Sequence, residues 1–418
     1  MKLPYYLIVA AFLSACDSGG PAPVEFGLTI SEIQGSTAAS PLAGQFVTVS
    51  GVVSGDFQDD DADGVSSLGG FYLQSLEADE DPRTSEGLFV FDRGANGPDL
   101  VVGDVVSVTG IVAERFGETQ IAAEKVARTG RAQADVIDLP LPAATLVDNS
   151  DGAQIADLER YEGMLVRIPQ TMFVQDLTGL ERFGEILLSL TERQYQFTST
   201  NLPDPAAYRE HRAQVAARTL MLDDGRAEQN VKPLRYLGGA GLPQRAPRLG
   251  DALGNLQGVL RYSRGSGPHG AETWRLMPTV PPTFEARNPR PAKPDLQGDV
   301  IVASINLLNY FPTPDDGTDR CGPAGADGCR GADSVAELER QRLRTATAIN
   351  LSGADVVGVM ELENNPQTAV KDLQTALAAQ GADWQYVDTG VIGDDAIRVA
   401  ILYRPARVST VGDFAILD

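Results

Sequence analysis

Residues 300–364 constrain the fold of this chain more than any other stretch. They read VIVASINLLNYF, then a loop closed by two cysteines, then RGADSVAELERQRLRTATAINLSGADVVGVMELEN. The apolar run from Ile301 predicts a strand that ends in Asn306. Val335, Leu338, Arg342, Thr345 and Ile349 fall on one face of a helix predicted over Ala332 to Asn350, which Gly353 stops. A second apolar strand, Val356 to Met360, delivers Glu361 at its tip. Polar side chains at the C-terminal ends of adjacent strands are where α/β folds place chemistry. An amide oxygen and a carboxylate presented there suit a hard divalent cation such as Mg²⁺.

The helix predicted over Gln367 to Gln380 is closed by Gly381, and strands follow at Trp384 to Asp388 and Arg398 to Tyr403. This alternation makes residues 299–418 an α/β domain. Pro281 to Pro294 (PPTFEARNPRPAKP) reads as a linker in front of it.

Residues 26–130 read differently. Gln45 to Val53 and Gly103 to Val112 are paired alternating runs of the form G-x-V-x-V-x-G, with GFYLQ and GLFVF between them. Short strands rich in Val, Phe and Thr between Gly and Asp turns predict a small all-β barrel or sandwich, and the paired runs resemble strands of an oligonucleotide/oligosaccharide-binding (OB) barrel. Phe71, Tyr72, Phe89 and Phe91 are either its core or a stacking platform for bases. Asp59, Asp61 and Asp63 in DDDADG have the spacing of a Ca²⁺ loop, but Gly70 stands where a closing Glu is needed. A solvated acidic hairpin tip is the other reading.

Residues 131–290 are a second β-rich region, with strands at Gly163 to Ile168, Gly250 to Leu260 and Trp274 to Pro278. Long loops are expected over Asn201 to Arg248. His211 and His269 lie in polar surroundings here and read as surface residues. The chain as a whole is therefore expected to be multidomain α+β.

The first 16 residues form a lipoprotein-type signal peptide. Lys2 precedes the short apolar run Leu7 to Leu13, and Leu13-Ser14-Ala15-Cys16 resembles the lipobox whose cysteine is acylated. Residues 17–25 form a tether, and Asp17 resembles an inner-membrane retention signal of some bacteria. Export to the cell envelope, periplasmic or surface-facing, with a membrane anchor at Cys16, is the expected destination. Cysteine use agrees: Cys321 and Cys329 remain as an even pair, which reads as a disulfide in an exported protein, with a two-thiol metal site as the alternative. A net charge of −23 argues against broad electrostatic adhesion to nucleic acid or anionic lipid, although a bound cation can invert the local field. Only Lys2, Lys125, Lys232, Lys293 and Lys371 are lysines. Arginine, the better bidentate partner for phosphate, supplies the other cations. No segment points to a protein partner.

Ile301 to Tyr310, Arg330 to Asn364 and Asp395 to Pro405, preceded by a barrel-like module, resemble the ExeM/NucH-type extracellular endonucleases of the deoxyribonuclease-I-like endonuclease/exonuclease/phosphatase superfamily. The resemblance implies a four-layer sandwich and Mg²⁺- or Mn²⁺-dependent hydrolysis of DNA, with RNA as a further substrate. It implies that Asn306 arranges the catalytic site and that Glu361 coordinates the metal. Asn309, Glu363 and Asn364 are implied around the metal, and Tyr403 and Arg404 against the DNA backbone. The family also carries a later D-x-N strand end and an Asp-His pair, whereas no His follows position 269 here. The expectation is thus of the first part of a nuclease domain. A lipid-anchored binding protein with a vestigial domain is the competing reading, and a phosphodiesterase for lipid or sugar phosphates is a third.

Overall fold

The computed structural model describes residues 27–58, 67–92, 97–231, 246–265, 270, 272–289 and 294–416. Cys16, the tether, the Asp59, Asp61 and Asp63 loop, and His269 lie outside them. The described residues are mostly β, in several sheets, and the chain divides into two compact units at Pro289/Arg290.

The first unit begins with β1 (Gly27–Leu28) and a short helix α1 (Ile30–Gln34). Five longer strands follow: β2 (Phe46–Phe57), β3 (Gly70–Gln74), β4 (Gly87–Phe91), β5 (Asp104–Arg115) and β6 (Glu118–Arg131). The sheet runs β1-β2-β3-β4-β6-β5, and β2 also pairs with β5. Twelve residues make β2 long enough to pair with β5 through its first half and β3 through its second, so the sheet closes on itself. Closure leaves no long open edge among these five strands. Alternating inward residues, among them Val49, Val53, Leu73, Leu88, Val108 and Ile121, fill the interior.

The remainder of this unit contributes strands β7 (Ile137–Asp138), β8 (Leu146–Asp148), β9 (Gln154–Ala156), β10 (Leu165–Ile168), β11 (Met172–Asp176), β12 (Ile186–Ser189), β13 (Thr219–Leu222), β14 (Ala252–Gly254), β15 (Leu256–Ser263), β16 (Thr273–Pro278) and β17 (Thr283–Glu285). It also holds helices α2 (Leu180–Phe183), α3 (Phe197–Thr200) and α4 (Pro205–Arg218). Nine of the strands form one sheet in the order β17-β14-β11-β12-β13-β16-β15-β10-β7, and β8 and β9 form a separate pair. Two expectations change here. Gly250 to Leu260 is broken at Asn255, whose φ of 55° ends β14 and starts β15. Part of Asn201 to Arg248, expected as loops, is α4 and β13: Asp204 caps the helix through Ala206 N and Ala207 N, with Pro205 in the first turn. No residue of α4 is buried, so it lacks the apolar stripe that periodicity detects.

The closed sheet and the nine-stranded sheet pack together. Phe57, Tyr72 and Phe89 form a cluster with Val259 and Met277. The backbones of Gly87 and Gly163 approach so closely that a Cβ on Gly87 would lie 2.1 Å from the Gly163 carbonyl carbon.

The second unit has a four-stranded sheet made of β18 (Val302–Tyr310), β21 (Val356–Glu363), β22 (Gln385–Tyr386) and β23 (Ile397–Tyr403), in the order β18-β21-β23-β22. The disulfide loop between β18 and the first helix carries β19 (Asp319–Cys321) and β20 (Asp327–Gly328). Helices α5 (Val335–Ser352) and α6 (Thr368–Ala378) join Ala303, Ile305, Val357, Val359, Ala400 and Leu402 in one core. Ser334 caps α5, and Gly353 closes it at a φ of 72°. The inward face of α5 is Leu338, Ala346 and Ile349; Val335, expected on it, is 66% exposed because it sits in the first turn, ahead of the packed region. On the opposite face of the sheet Val302, Val399 and Ile401 are exposed. A second sheet packed on that face is not among the described residues.

Candidate active site at the tips of two parallel strands

β18 and β21 run parallel, with Asn306 opposite Met360. Both ladders break just beyond that pair. β18 shifts register between Asn306 and Tyr310, and β21 shifts against β23 between Val359 and Leu362. The strand therefore runs past Asn306, its expected end, to Tyr310. Within the breaks Leu308, Asn309 and Glu361 all have positive φ, at 55°, 54° and 60°. Left-handed backbone at three non-glycine residues is strained, and strain of this kind clusters at functional sites.

The distortion brings the predicted pair into contact. Asn306 Nδ2 donates to Glu361 Oε1 at 2.6 Å, and the Asn309 backbone N–H donates to Glu361 Oε2 at 3.1 Å. Asn306 is itself oriented, because its Oδ1 accepts from the Leu308 N–H at 2.8 Å. Asn309 thus contributes main chain to the site.

Gln341 was not singled out in the sequence, yet its Nε2 donates to the carbonyls of Leu307, Leu308 and Asn309 at 3.1–3.4 Å, holding the strained turn from α5. Gly331, at a φ of 113°, lies under the same turn, where a Cβ would come 2.4 Å from the Asn309 oxygen. Both belong to the RGAD…ELERQR string, whose composition was the available signal.

Other predicted residues lie elsewhere. Asn364 is fully buried and clamps the loop before β23: its Nδ2 donates to the Ile392 and Asp395 carbonyls, and its Oδ1 accepts from Ile392 N–H. Glu363 turns inward toward Thr313 and Asn365, and burial pushes its carboxyl above the usual range. Tyr403 and Arg404 are at the wrong end of the sheet. β23 is antiparallel to β21, so Tyr403 pairs with Val356, five residues or about 16 Å along the strand from Glu361. Arg404 donates to the Ala354 carbonyl and covers the Trp384 ring. In the closed sheet Phe71, Tyr72 and Phe89 are core, and Phe91 is half-buried against them.

Cys321 and Cys329 are bonded and buried against Phe311, the residue that follows β18. Among the described residues no group of three or more His, Cys, Asp or Glu is placed to hold a metal ion. The donor chemistry at the strand tips nonetheless fits a hard divalent cation. Each Glu361 oxygen accepts one hydrogen bond and keeps a lone pair, and Mg²⁺ is commonly held by one or two carboxylates with water and phosphate completing its shell.

No protein-family model matches the chain, and no curated protein does. Among solved structures it is similar to two OBodies, each bound to hen egg-white lysozyme. One is 18% identical over 27% of this chain and 100% of that one, with a TM-score of 0.18; the other is 19% identical over 28% and 100%, with a TM-score of 0.17. At such scores neither likeness bears on the fold or the site.

Proposed function

We propose that this chain carries the metal-binding part of an exported, metal-dependent phosphodiesterase acting on nucleic acid, DNA foremost, and that acylation of Cys16 holds it to a membrane. One observation carries the catalytic reading: the Asn306–Glu361 contact at the tips of two parallel strands, set in strained backbone. The second unit is read as the first sheet of an endonuclease/exonuclease/phosphatase sandwich, and the closed sheet of the first unit as an OB barrel. The closure of that sheet through the β2–β5 pairing supports the barrel assignment.

In this mechanism Glu361 holds Mg²⁺ or Mn²⁺. Asn306 fixes the rotamer of that carboxylate through its Nδ2, and Gln341 holds the turn that aims the Asn309 N–H at the other oxygen. When bound, the cation neutralises charge developing on the phosphoryl group. The test is plasmid nicking with Mg²⁺, Mn²⁺ or chelator. Cleavage should require the metal and should fall by at least about 100-fold in Glu361→Gln, since even residues that only orient a ligand are worth about 10–100-fold. Metal-dependent nicking retained in Glu361→Gln would remove the ligand role. Release of Cys16→Ser from the membrane fraction checks the anchor.

A further inference from the structure

A cleft of about 800 Å³ opens in the first unit among β9, the 194–198 segment and α4, which packs on β8 and β9. This size suits one or two small planar groups. Aromatic rings dominate its wall. Phe197 contacts the Tyr208 ring, with centroids 5.8 Å apart, and the His211 ring at 5.6 Å. Tyr195 and Tyr208 line the cleft and are 52% and 46% exposed, although a lone tyrosine of a packed domain normally buries its ring. A smaller pocket of about 240 Å³ shares Tyr195 and His211 and extends the cleft toward Arg193 and Arg218.

The charge around these rings is opposite to that of the chain. Arg212 lines the cleft, Arg193 and Arg218 line the smaller pocket and Arg209 lies on α4, while the whole protein carries −23. Among the described residues none of the four is drawn into an ion pair. The nearby carboxylates are engaged otherwise: Asp204 caps α4, and Glu210 accepts from Gln214. Arg193 lies over the Tyr195 ring at 4.9 Å. Exposed rings interleaved with unneutralised guanidinium groups are the means by which proteins hold single-stranded nucleic acid, bases on the rings and phosphates on the arginines.

We propose that this cleft receives unstacked bases of a single-stranded nucleic acid, stacked on Tyr195 and Tyr208, with the flanking phosphates on Arg212 and Arg218. The choice of polymer rests on the function proposed above, and the cleft gives that function a substrate-holding surface in the unit that does not carry Glu361. His211, read from sequence as a plain surface residue, becomes part of the aromatic wall.

The test uses the full chain carrying Glu361→Gln, in chelator, so that binding is read without cleavage. Fluorescence anisotropy of a labelled oligodeoxythymidylate should show binding that weakens about tenfold in Tyr195→Ala and again in Tyr208→Ala. Tyr208→Phe, which keeps the ring, should bind as the parent does. Arg212→Gln should reduce the slope of log affinity against log salt by about 0.7, one phosphate's worth for a single strand. Circular dichroism establishes that each variant is folded. Unchanged affinity in folded Tyr195→Ala and Tyr208→Ala overturns the proposal. So does Tyr208-dependent binding of an uncharged oligosaccharide with no Tyr208-dependent binding of the oligonucleotide. Plasmid nicking by the chain with Glu361 intact separates the two claims. Nicking with ring-independent binding sinks only the cleft, and ring-dependent binding without nicking sinks only the catalytic reading.

Discussion

The two units treat a carboxylate in opposite ways. In the seam of the first unit Glu118 accepts from Tyr72 at 2.6 Å and from Arg261 at 3.1 Å. Nearby, the 1%-exposed Arg275 lies between Glu185 and Asp223 at 2.9 and 3.1 Å. Glu118 and Arg275 thus meet opposite charges inside the protein, and breaking such a pair costs about 3–5 kcal/mol because the survivor stays buried and uncompensated. Glu361 in the second unit is held by an amide and a backbone N–H, both neutral donors, on strained backbone. Its charge is oriented without being neutralised. Internally compensated carboxylates hold a fold together, whereas an oriented, uncompensated one is what the proposed metal site requires.

The seam offers the largest way to break this comparison. Gly87→Val should destabilise the first unit by about 3 kcal/mol, because the added atoms have only the Gly163 backbone to displace. The chain has two tryptophans, Trp274 in the first unit and Trp384 in the second, both buried. Thermal melts of Trp274→Phe and Trp384→Phe backgrounds therefore report the units separately, and the melt seen through Trp384 should not move. Replacing Cys321 and Cys329 together by Ser should do the reverse, costing the second unit about 2–3 kcal/mol for the short loop it opens. An equal shift of both tryptophan signals would show the units to be one cooperative body.

A subtler contrast concerns pH. Burial, then the charges of Glu114 and Asp157, hold the Glu159 carboxyl at about 7, and burial with the charges of Glu159 and Glu118 pushes Glu162 well above the usual range. Glu162 Oε1 meanwhile accepts from Thr119 N–H and Gln34 Nε2. A carboxyl whose pKa is raised by folding binds protons more tightly in the folded state. Its contribution is complete below the unfolded value of about 4.4 and is lost as pH rises through the folded one. The first unit should thus lose stability between about pH 4.4 and 7, and Glu159→Gln should flatten that slope in urea melts followed through Trp274. A slope unchanged in the variant would place the dependence on other groups. The smallest effect belongs to Arg404→Ala. Cleavage should stay within about twofold of the parent, since Arg404 sits at the far end of the sheet, and a loss of about tenfold or more would restore the DNA contact that the antiparallel strand argues against.

Much of the second unit was legible. Apolar runs of five or six residues and Gly353 after α5 are local signals, and local signals survive without tertiary context; the start of α5 at Ser334, three residues before Glu337, was missed. Asn306 and Glu361 were singled out because each follows an apolar run, although both strands continue past them, to Tyr310 and Glu363. Tyr403 and Arg404 were misplaced because strand direction does not show in a strand's own residues, and only the pairing of β23 with β21 reveals it. The aromatics of the closed sheet were ambiguous for a related reason. Alternation shows which residues share a face, while the nine-stranded sheet packed on that face buries Tyr72 and Phe89. The cleft beside α4 was not legible, since a helix without an apolar stripe has no period to read.

By itself, then, the sequence determined the main strands and helices of the second unit, the glycine that ends α5, the cysteine pair and the two polar residues that follow its apolar runs. All of these depend on neighbours within a few positions. Tertiary structure alone decided that Glu361 meets Asn306 and Asn309, that Gln341 and Gly331 hold the turn, and that Tyr195, Phe197 and Tyr208 share one wall. Those contacts join residues separated by register shifts and loops, and their geometry exists only once the sheets and helices have packed.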